Sequence, residues 1–433
     1  MINHHNKISF RRFRVWLNKR QIKHFLFILL FLIAFTMLCG LYFHTFEYQR
    51  SKVEIAMKEE TQQNTVKVTS SLIQLRNTIN YINTMQEIKN FDGNITDRTI
   101  ILVIQVHKRI AYLRGLIESL RSVEDISSVI LIFSHDYFDE EINKLVNSID
   151  FAPVMQIFLP FSIQLYPNEF PGLSPNDCPW NLSVEKAKQL DCQGAQNPDQ
   201  YGHYRQGEVT QIKHHWWWKI NRVFDQLRVT DNFNGFVLFL EEDYYVAPDI
   251  LHTLRLMVNF AAVNCPSCNS FHLGTFTRSM SYQEHASKVS GGEWNNLGLS
   301  FNRSFWQILK ACSPTFCTFD DYNWDGSYQF AAQQCFSQKL TPLIVHASRV
   351  LHVGDCGGMH NNRAGCDADK SVQRARNFVK LVRPFLFPKS LTMLSTNFKQ
   401  PQAKRGWGGF ADPRDIQLCL NFSSLSIQLI PDS

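Results

Sequence analysis

Residues 235–244 read Gly-Phe-Val-Leu-Phe-Leu-Glu-Glu-Asp-Tyr, an unbroken apolar run that stops on three carboxylates. Its length and residue types describe a strand covered on both faces. A chain with such a strand must lay other elements on either side of a sheet, which favours an α/β architecture. In open α/β sheets, ligands bind beyond the carboxyl ends of the strands. Acids gathered there call for a positive partner, because a carboxylate withdrawn from water without one is costly. The plainer alternative is a strand end whose acids are solvated.

The flanking sequence supplies the rest of such a sheet. Thr99–Val106, Ser128–Ser134 and Val154–Leu159 are dense apolar runs of strand length. Between them, Arg109–Arg121 carries Ile110, Leu113, Leu116, Ile117 and Leu120 at helical spacing, and Phe138–Ile149 reads as a second helix. Strand and helix alternate, which predicts βαβ units and a mostly parallel central sheet. Thr210–Leu227 reads as a helix on which Trp216, Trp217 and Trp218 cover most of the circumference, so burial on several sides follows. His214 and His215 point about 100° apart on that helix and make a poor metal pair. Pro248 is expected to open a helix at its first turn. Ser270–Phe276 is a further strand, and Leu343–Val353 is another apolar stretch, broken by His346. The glycine fingerprint of a dinucleotide site is missing after the first strand, where Gln105-Val-His-Lys-Arg109 stands instead.

The formal charge of +6 does not indicate nucleic acid. Seven of the basic residues fall within residues 1–23, which hold no acid, and the remainder is close to neutral. Phe25–Phe43 contains no charged residue and approaches the roughly 20 residues that cross a bilayer. Basic residues on its N-terminal flank keep that end in the cytosol, and no small-residue cleavage site follows. The expected organisation is a cytoplasmic tail (1–23), an uncleaved type II anchor (24–44), a luminal stem (45–97) and a luminal catalytic domain (98–433). A cleaved signal is the competing reading. In the stem, Val68, Leu72, Leu75, Ile79 and Ile82 form a helical stripe. It suits either a short coiled coil, which would make a homodimer through the stem, or a helix lying on the domain. Ten cysteines follow Cys39, an even number that favours disulfides in a luminal domain. Cys178 and Cys192 are read as stapling the long loop 160–205. Cys265-Pro-Ser-Cys268 fits half a zinc site or a redox pair, neither strongly. Sequons begin at Asn94, Asn181, Asn302 and Asn421.

Two further motifs bear on chemistry. Asp320-Asp-Tyr-Asn-Trp-Asp325 sets acids and an amide beside aromatics, as a sugar-binding edge does; a helix cap is the plainer reading. Leu343–Val353 runs into His352-Val-Gly-Asp-Cys356. With Gln105–Arg109, Phe133-Ser-His-Asp136, the run 161–171, Lys213-His-His-Trp-Trp-Trp218 and Leu240-Glu-Glu-Asp243, these stretches resemble, in order, the signature of the N-acetylglucosaminyltransferase II family. The likeness spans about residues 98 to 419.

That resemblance implies a GT-A fold and a Mn2+-dependent, inverting enzyme of the Golgi membrane. Such an enzyme moves GlcNAc from UDP-GlcNAc, in β-1,2 linkage, to the α-1,6 arm mannose of an N-glycan acceptor on glycoproteins. Position by position, Asp243 and His352 resemble the metal-linked pair and Asp325 the catalytic base. Gln105, Val106, His107, Lys108, Arg109, Asp136, Gln211, Ile212, Lys213, His214, His215 and Arg278 resemble the donor-binding set. The family's cysteine pattern implies the pairs 178–192, 265–268, 312–335, 317–419 and 356–366. Two positions depart from it: Tyr244 stands where the family usually has His, and Gly326 where it usually has Trp.

The residue types suit that chemistry. A divalent cation on a diphosphate acts as a Lewis acid for the leaving group, and carboxylate with imidazole suits Mn2+ or Mg2+. One carboxylate opposite the leaving group takes the acceptor's proton, as the base of an inverting glycosidase does. Two other functions fit the same chain: a sister enzyme acting on the α-1,3 arm, and a glycan-binding protein on a decayed transferase fold. Retention of Asp243, His352 and Asp325 speaks against decay.

Overall fold

The computed structural model describes residues 19–276, 281–358, 361–362, 366–402 and 405–424. Arg278 and most of the basic tail lie outside the described residues. The chain divides into two units, Met1–Gln74 and Leu75–Ser433. In the first, Ile22–Glu47 is a 26-residue helical stretch long and apolar enough to cross a membrane, with its large side chains uncovered. The second unit includes the last turns of the helix Lys19–Met85. There Ile79 is buried with Phe158 and Leu165, and Leu75 and Ile82 pack against them. Asn83 exchanges two hydrogen bonds with the Phe158 backbone, Nδ2 to O at 2.7 Å and N to Oδ1 at 2.9 Å. Leu75, Ile79 and Ile82 are therefore committed to the domain, the second of the two readings of that stripe. The compact unit starts near residue 75, ahead of the expected boundary at 98.

A ten-stranded sheet forms the centre of this unit. Val154–Phe158, Ile130–His135, Ile101–Val106 and Phe236–Glu241 lie side by side in that order, all parallel. Residues alternate between the two faces, as strand geometry requires. Ile101, Val103, Ile130, Ile132, Val237 and Phe239 face one core. Leu102, Ile104, Leu131, Phe133, Leu238 and Leu240 face the other. The first core is closed by Gly207–Asp225 and by the helices between Arg303 and Gln334, the second by Ile110–Arg121, Glu140–Asn147 and Ile250–Asn264. Both faces of the central strands are covered, which is why their sequences are continuously apolar.

Beyond Phe236–Glu241 the sheet turns mixed. Leu299–Asn302 enters antiparallel between Phe236–Glu241 and Ser270–His272. Pro342–Val345 then runs parallel to Ser270–His272 and antiparallel to Lys288–Gly291. One expectation needs correction, and one stretch resolves into two elements. Pro248 lies outside its helix, because Asp249 is the N-cap of Ile250–Asn264. Leu343–Val353 is two strands, Pro342–Val345 and Val350–His352. The polar run 346–349 breaks it, and Arg349 turns inward to pair with Asp249 at 3.0 Å, both side chains fully buried. A buried pair needs its remaining valences filled, and the carbonyls of Ala347 and Ala286 accept two of the three other guanidinium hydrogens.

The five disulfides are Cys178–Cys192, Cys265–Cys268, Cys312–Cys335, Cys317–Cys419 and Cys356–Cys366. They match the pairing implied by the resemblance, and the Cys265/Cys268 pair is a disulfide, so it holds no zinc.

Candidate active site

The acids of residues 241–243 lie where the parallel strands end. Gln105 and Glu241 are register partners on adjacent strands. By alternation both face Gly207–Asp225, and Lys219 on that helix donates to Gln105 Oε1 at 2.7 Å. Burial lowers the Lys219 ammonium and raises the Glu241 carboxyl. Glu242, only 2% exposed, clamps the loop after the first strand. It accepts from the backbone N of His107 at 2.8 Å and from Arg109 Nε at 2.8 Å.

Arg109 reaches past Glu242 to Asp243, with Nη1 3.0 Å from Oδ2. Burial alone would weaken the guanidinium's charge, and Asp243 and Glu242 more than restore it. On the other side His352 Nε2 stands 3.1 Å from the same Oδ2. That juxtaposition is built by a two-stranded antiparallel ladder, Tyr244–Val246 with Val350–His352, in which His352 is the partner of Tyr244. Val353 N donates to Asp243 O at 2.9 Å and extends the ladder. Burial tends to raise the Asp243 carboxyl, but the hydrogen bond with His352 and the charge of Arg109 hold it below its ordinary value.

A second polar chain runs along the neighbouring strand. Asp136 binds His107 Nδ1 at 2.6 Å through one oxygen and Gln211 Nε2 at 3.1 Å through the other. His215 Nδ1 lies 3.6 Å from that second oxygen, and its Nε2 bonds Ser134 Oγ at 2.9 Å. Although buried, Asp136 is held well below the carboxylate range by His107 and His215. Gln211 and His215 are four residues apart, so they share the helix face toward the strand ends. Lys108 extends outward over the Tyr137 ring at 4.0 Å.

The side chains of the other expected donor-binding residues among those described lie away from this polar cluster. Val106 is fully buried in the second core, and Ile212 packs against the first. His214 Nε2 bonds the Asp415 carbonyl at 3.1 Å. Lys213 donates to Phe319 O at 2.9 Å, and burial lowers its ammonium to about 7. The tryptophans are core: Trp216 stacks on Trp324 at 4.2 Å and Trp217 on Phe316 at 4.2 Å.

That Trp216–Trp324 stack fixes the start of the helix Trp324–Gln334, whose second residue is Asp325. Asp325 Oδ1 accepts from the next backbone N, Gly326, at 2.8 Å. The charge of Asp325 is felt by Tyr244, as are those of Glu241 and Asp243. Asp321, 2% exposed, lies close to the same turn: a β-carbon on Gly326 would stand 2.3 Å from its Oδ2. Gly326, unlike a Trp, leaves room for that carboxyl. A cavity of about 330 Å3 opens beside His352, walled by Leu297, His346 and the helix residues Ala375 and Phe378.

The residues present fit a divalent cation. Asp243 Oδ1 is buried with no hydrogen-bond partner, an exception among interior acceptors that a cation would remove. Among the described residues no three His, Cys, Asp or Glu side chains form a metal cage. Asp243 and His352 would supply two ligands, and cations of this kind commonly complete their shell with substrate phosphates and water.

Sequence reasoning named the acidic stretches that hold Glu242 and Asp321 without assigning either residue a role, and it missed Gly354. Glu242 was legible within the acidic run; Gly354 follows His352 by two, but only coordinates show its contact with Asp243.

Residues 76–419 match the profile of the family described as N-acetylglucosaminyltransferase II (MGAT2). The chain is 40% identical over 362 residues to the Sus scrofa alpha-1,6-mannosyl-glycoprotein 2-beta-N-acetylglucosaminyltransferase, covering 82% of this chain and 80% of that one. It is 40% identical over 364 residues to the Homo sapiens protein of the same name, with coverage of 82% and 80%. Among solved structures, S. aureus TarS 1-349 in complex with UDP-GlcNAc aligns at a TM-score of 0.32 and 10% identity, over 65% of this chain and 66% of that one. That likeness is too slight to bear on fold or ligand. On the profile match and the 40% identity, the chain belongs to the N-acetylglucosaminyltransferase II family.

Proposed function

We propose that this chain transfers GlcNAc from UDP-GlcNAc, in β-1,2 linkage, to the α-1,6 arm mannose of N-glycans. It would act with Mn2+, on a GT-A fold, in the lumen of the Golgi. Residues 1–23 are the cytoplasmic tail and 24–44 the single type II anchor, and the stem runs from 45 to about residue 74, where the compact unit begins. Leu75, Ile79 and Ile82 are spent on the domain, so pairing of two copies through the stem would rest on the stretch before residue 75.

The observation that carries the reading is the Asp243–His352 pair with its unpartnered Oδ1, in a chain whose relatives bear the enzyme's name. The bound cation would be held by that pair and would offset charge on the departing diphosphate. Gln105, His107, Arg109, Asp136, Gln211 and His215 form the wall against which the donor is held, with Arg278 outside the described residues. Asp325 takes the proton from the mannose 2-hydroxyl. Attack opposite the leaving group converts the α-linked donor into a β-linked product.

The experiment is a panel on the purified full-length chain in detergent. UDP-GlcNAc and competing UDP-sugars are offered with acceptors free on either arm, with Mn2+ or EDTA. Transfer from UDP-GlcNAc alone, to the α-1,6 arm alone and only with the metal, supports the reading. Transfer to the α-1,3 arm identifies the sister activity, and donor binding without turnover identifies a glycan-binding protein.

A further inference from the structure

We propose that Tyr244 is a positioning residue for the cation site, its ring holding the His352 imidazole in the orientation that faces Asp243. This rests on the reading of Asp243 and His352 as the metal pair. Tyr244 and His352 are cross-strand partners in the short ladder, so their side chains leave the same face of it. Their rings meet edge to face, with centroids 6.0 Å apart and planes at 73°. Such a contact limits the rotation of an imidazole that is itself 34% exposed. Tyr244 is 1% exposed and belongs to the second core with Leu240 and Leu297, so its ring cannot swing away. The phenol points at the carbonyl of Asn296, 3.4 Å away, a long and weak contact. The ring, not the hydroxyl, therefore bears on His352.

Residues that orient a metal ligand typically matter by 10–100-fold in metal affinity. Position 244 is one of the two at which this chain departs from the pattern of the family it resembles.

The test compares Tyr244→Phe, Tyr244→Leu, Asp243→Ala and the parent chain. Mn2+ affinity is measured from the electron paramagnetic resonance signal of the free ion, and UDP affinity in EDTA reports that the rest of the site is folded. Tyr244→Phe keeps the ring and should bind Mn2+ within twofold of the parent. Tyr244→Leu should lose Mn2+ affinity about tenfold with UDP affinity in EDTA unchanged. A tenfold loss in Tyr244→Phe, or parent-like Mn2+ affinity in Tyr244→Leu, overturns the proposal. Where the Leu variant does not fold, a tenfold loss in Tyr244→Phe still overturns the proposal. If Asp243→Ala also binds Mn2+ as the parent does, it is the metal-pair reading that fails, and that outcome is distinct from either result at 244.

Discussion

The α-carbon of Gly354 lies so near the Asp243 carboxylate that a β-carbon on it would stand 2.0 Å from Oδ2. The fit leaves no room for any side chain at 354, and it holds the carboxylate between His352 and Arg109. Gly354→Ala should therefore displace Asp243 while leaving the strand beneath it in place. UDP affinity in Mn2+ should fall at least about tenfold, the scale of losses around metal ligands, and UDP affinity in EDTA should not change. Titration calorimetry in the two conditions checks this, and an unchanged Mn2+ response would mean that Asp243 does not hold the cation.

Asp321 gives a pH signature. Burial, with a contribution from Asp325, raises its carboxyl from 3.8 to about 6, against the opposing pull of the Asn323 backbone and Lys213. The folded state thus holds this proton more tightly than the unfolded chain. Its contribution to stability is complete below pH 3.8 and is lost as pH rises through about 6. Asp321→Asn keeps the acceptor for Asn323 N and removes the titration. Relative to the parent, the variant should gain on the order of 3 kcal/mol in stability between pH 4 and pH 7. Denaturant unfolding at the two pH values measures the gain, and a pH-independent difference would show that Asp321 titrates normally.

The longest covalent loop is closed by Cys317–Cys419, 102 residues apart in sequence. It ties the helix Ser313–Thr318 to Pro413–Ser423 against the Trp216–Trp218 core. Replacing both cysteines by serine should cost about 4–5 kcal/mol through chain entropy, with a further loss from polar groups in a buried site. Mass mapping of the unreduced protein should return all five pairs, and several free thiols after residue 45 would contradict the assignment.

Asp325 and the donor wall are held by different elements, so their roles should separate. Asp325→Asn keeps the side chain's shape and its acceptor for Gly326 N but cannot take a proton. Its turnover number should drop by about 10²–10⁴, with UDP-GlcNAc affinity within twofold of the parent. A variant that turned over within a few-fold of the parent would remove Asp325 from the mechanism.

Much of this was legible in the sequence. The apolar runs at 101–106, 130–135 and 236–241 become the central strands because each is covered on both faces, a condition that leaves no alternation to misread. Leu299–Asn302 and Lys288–Gly291 escaped because four-residue strands at a mixed edge carry neither length nor a continuous apolar pattern. At the site, the acidic run and the histidine at 352 were visible as residue types. Their meeting was not, because it depends on a two-stranded ladder whose register joins residues more than a hundred apart. Within the helix 207–225, rotation sends the side chains of 211 and 215 to Asp136 and turns those of 213 and 214 toward Phe319 and Asp415, a division that the contiguous motif does not display.

The most direct measurement is the structure of the product formed by the purified chain from UDP-GlcNAc and an N-glycan whose α-1,6 arm mannose is free, in Mn2+. Nuclear magnetic resonance of that product should show one new GlcNAc, β-linked to the 2-hydroxyl of that mannose, and none when EDTA replaces the metal. An α-linked sugar, transfer to another hydroxyl, or equal product without the metal would contradict the account.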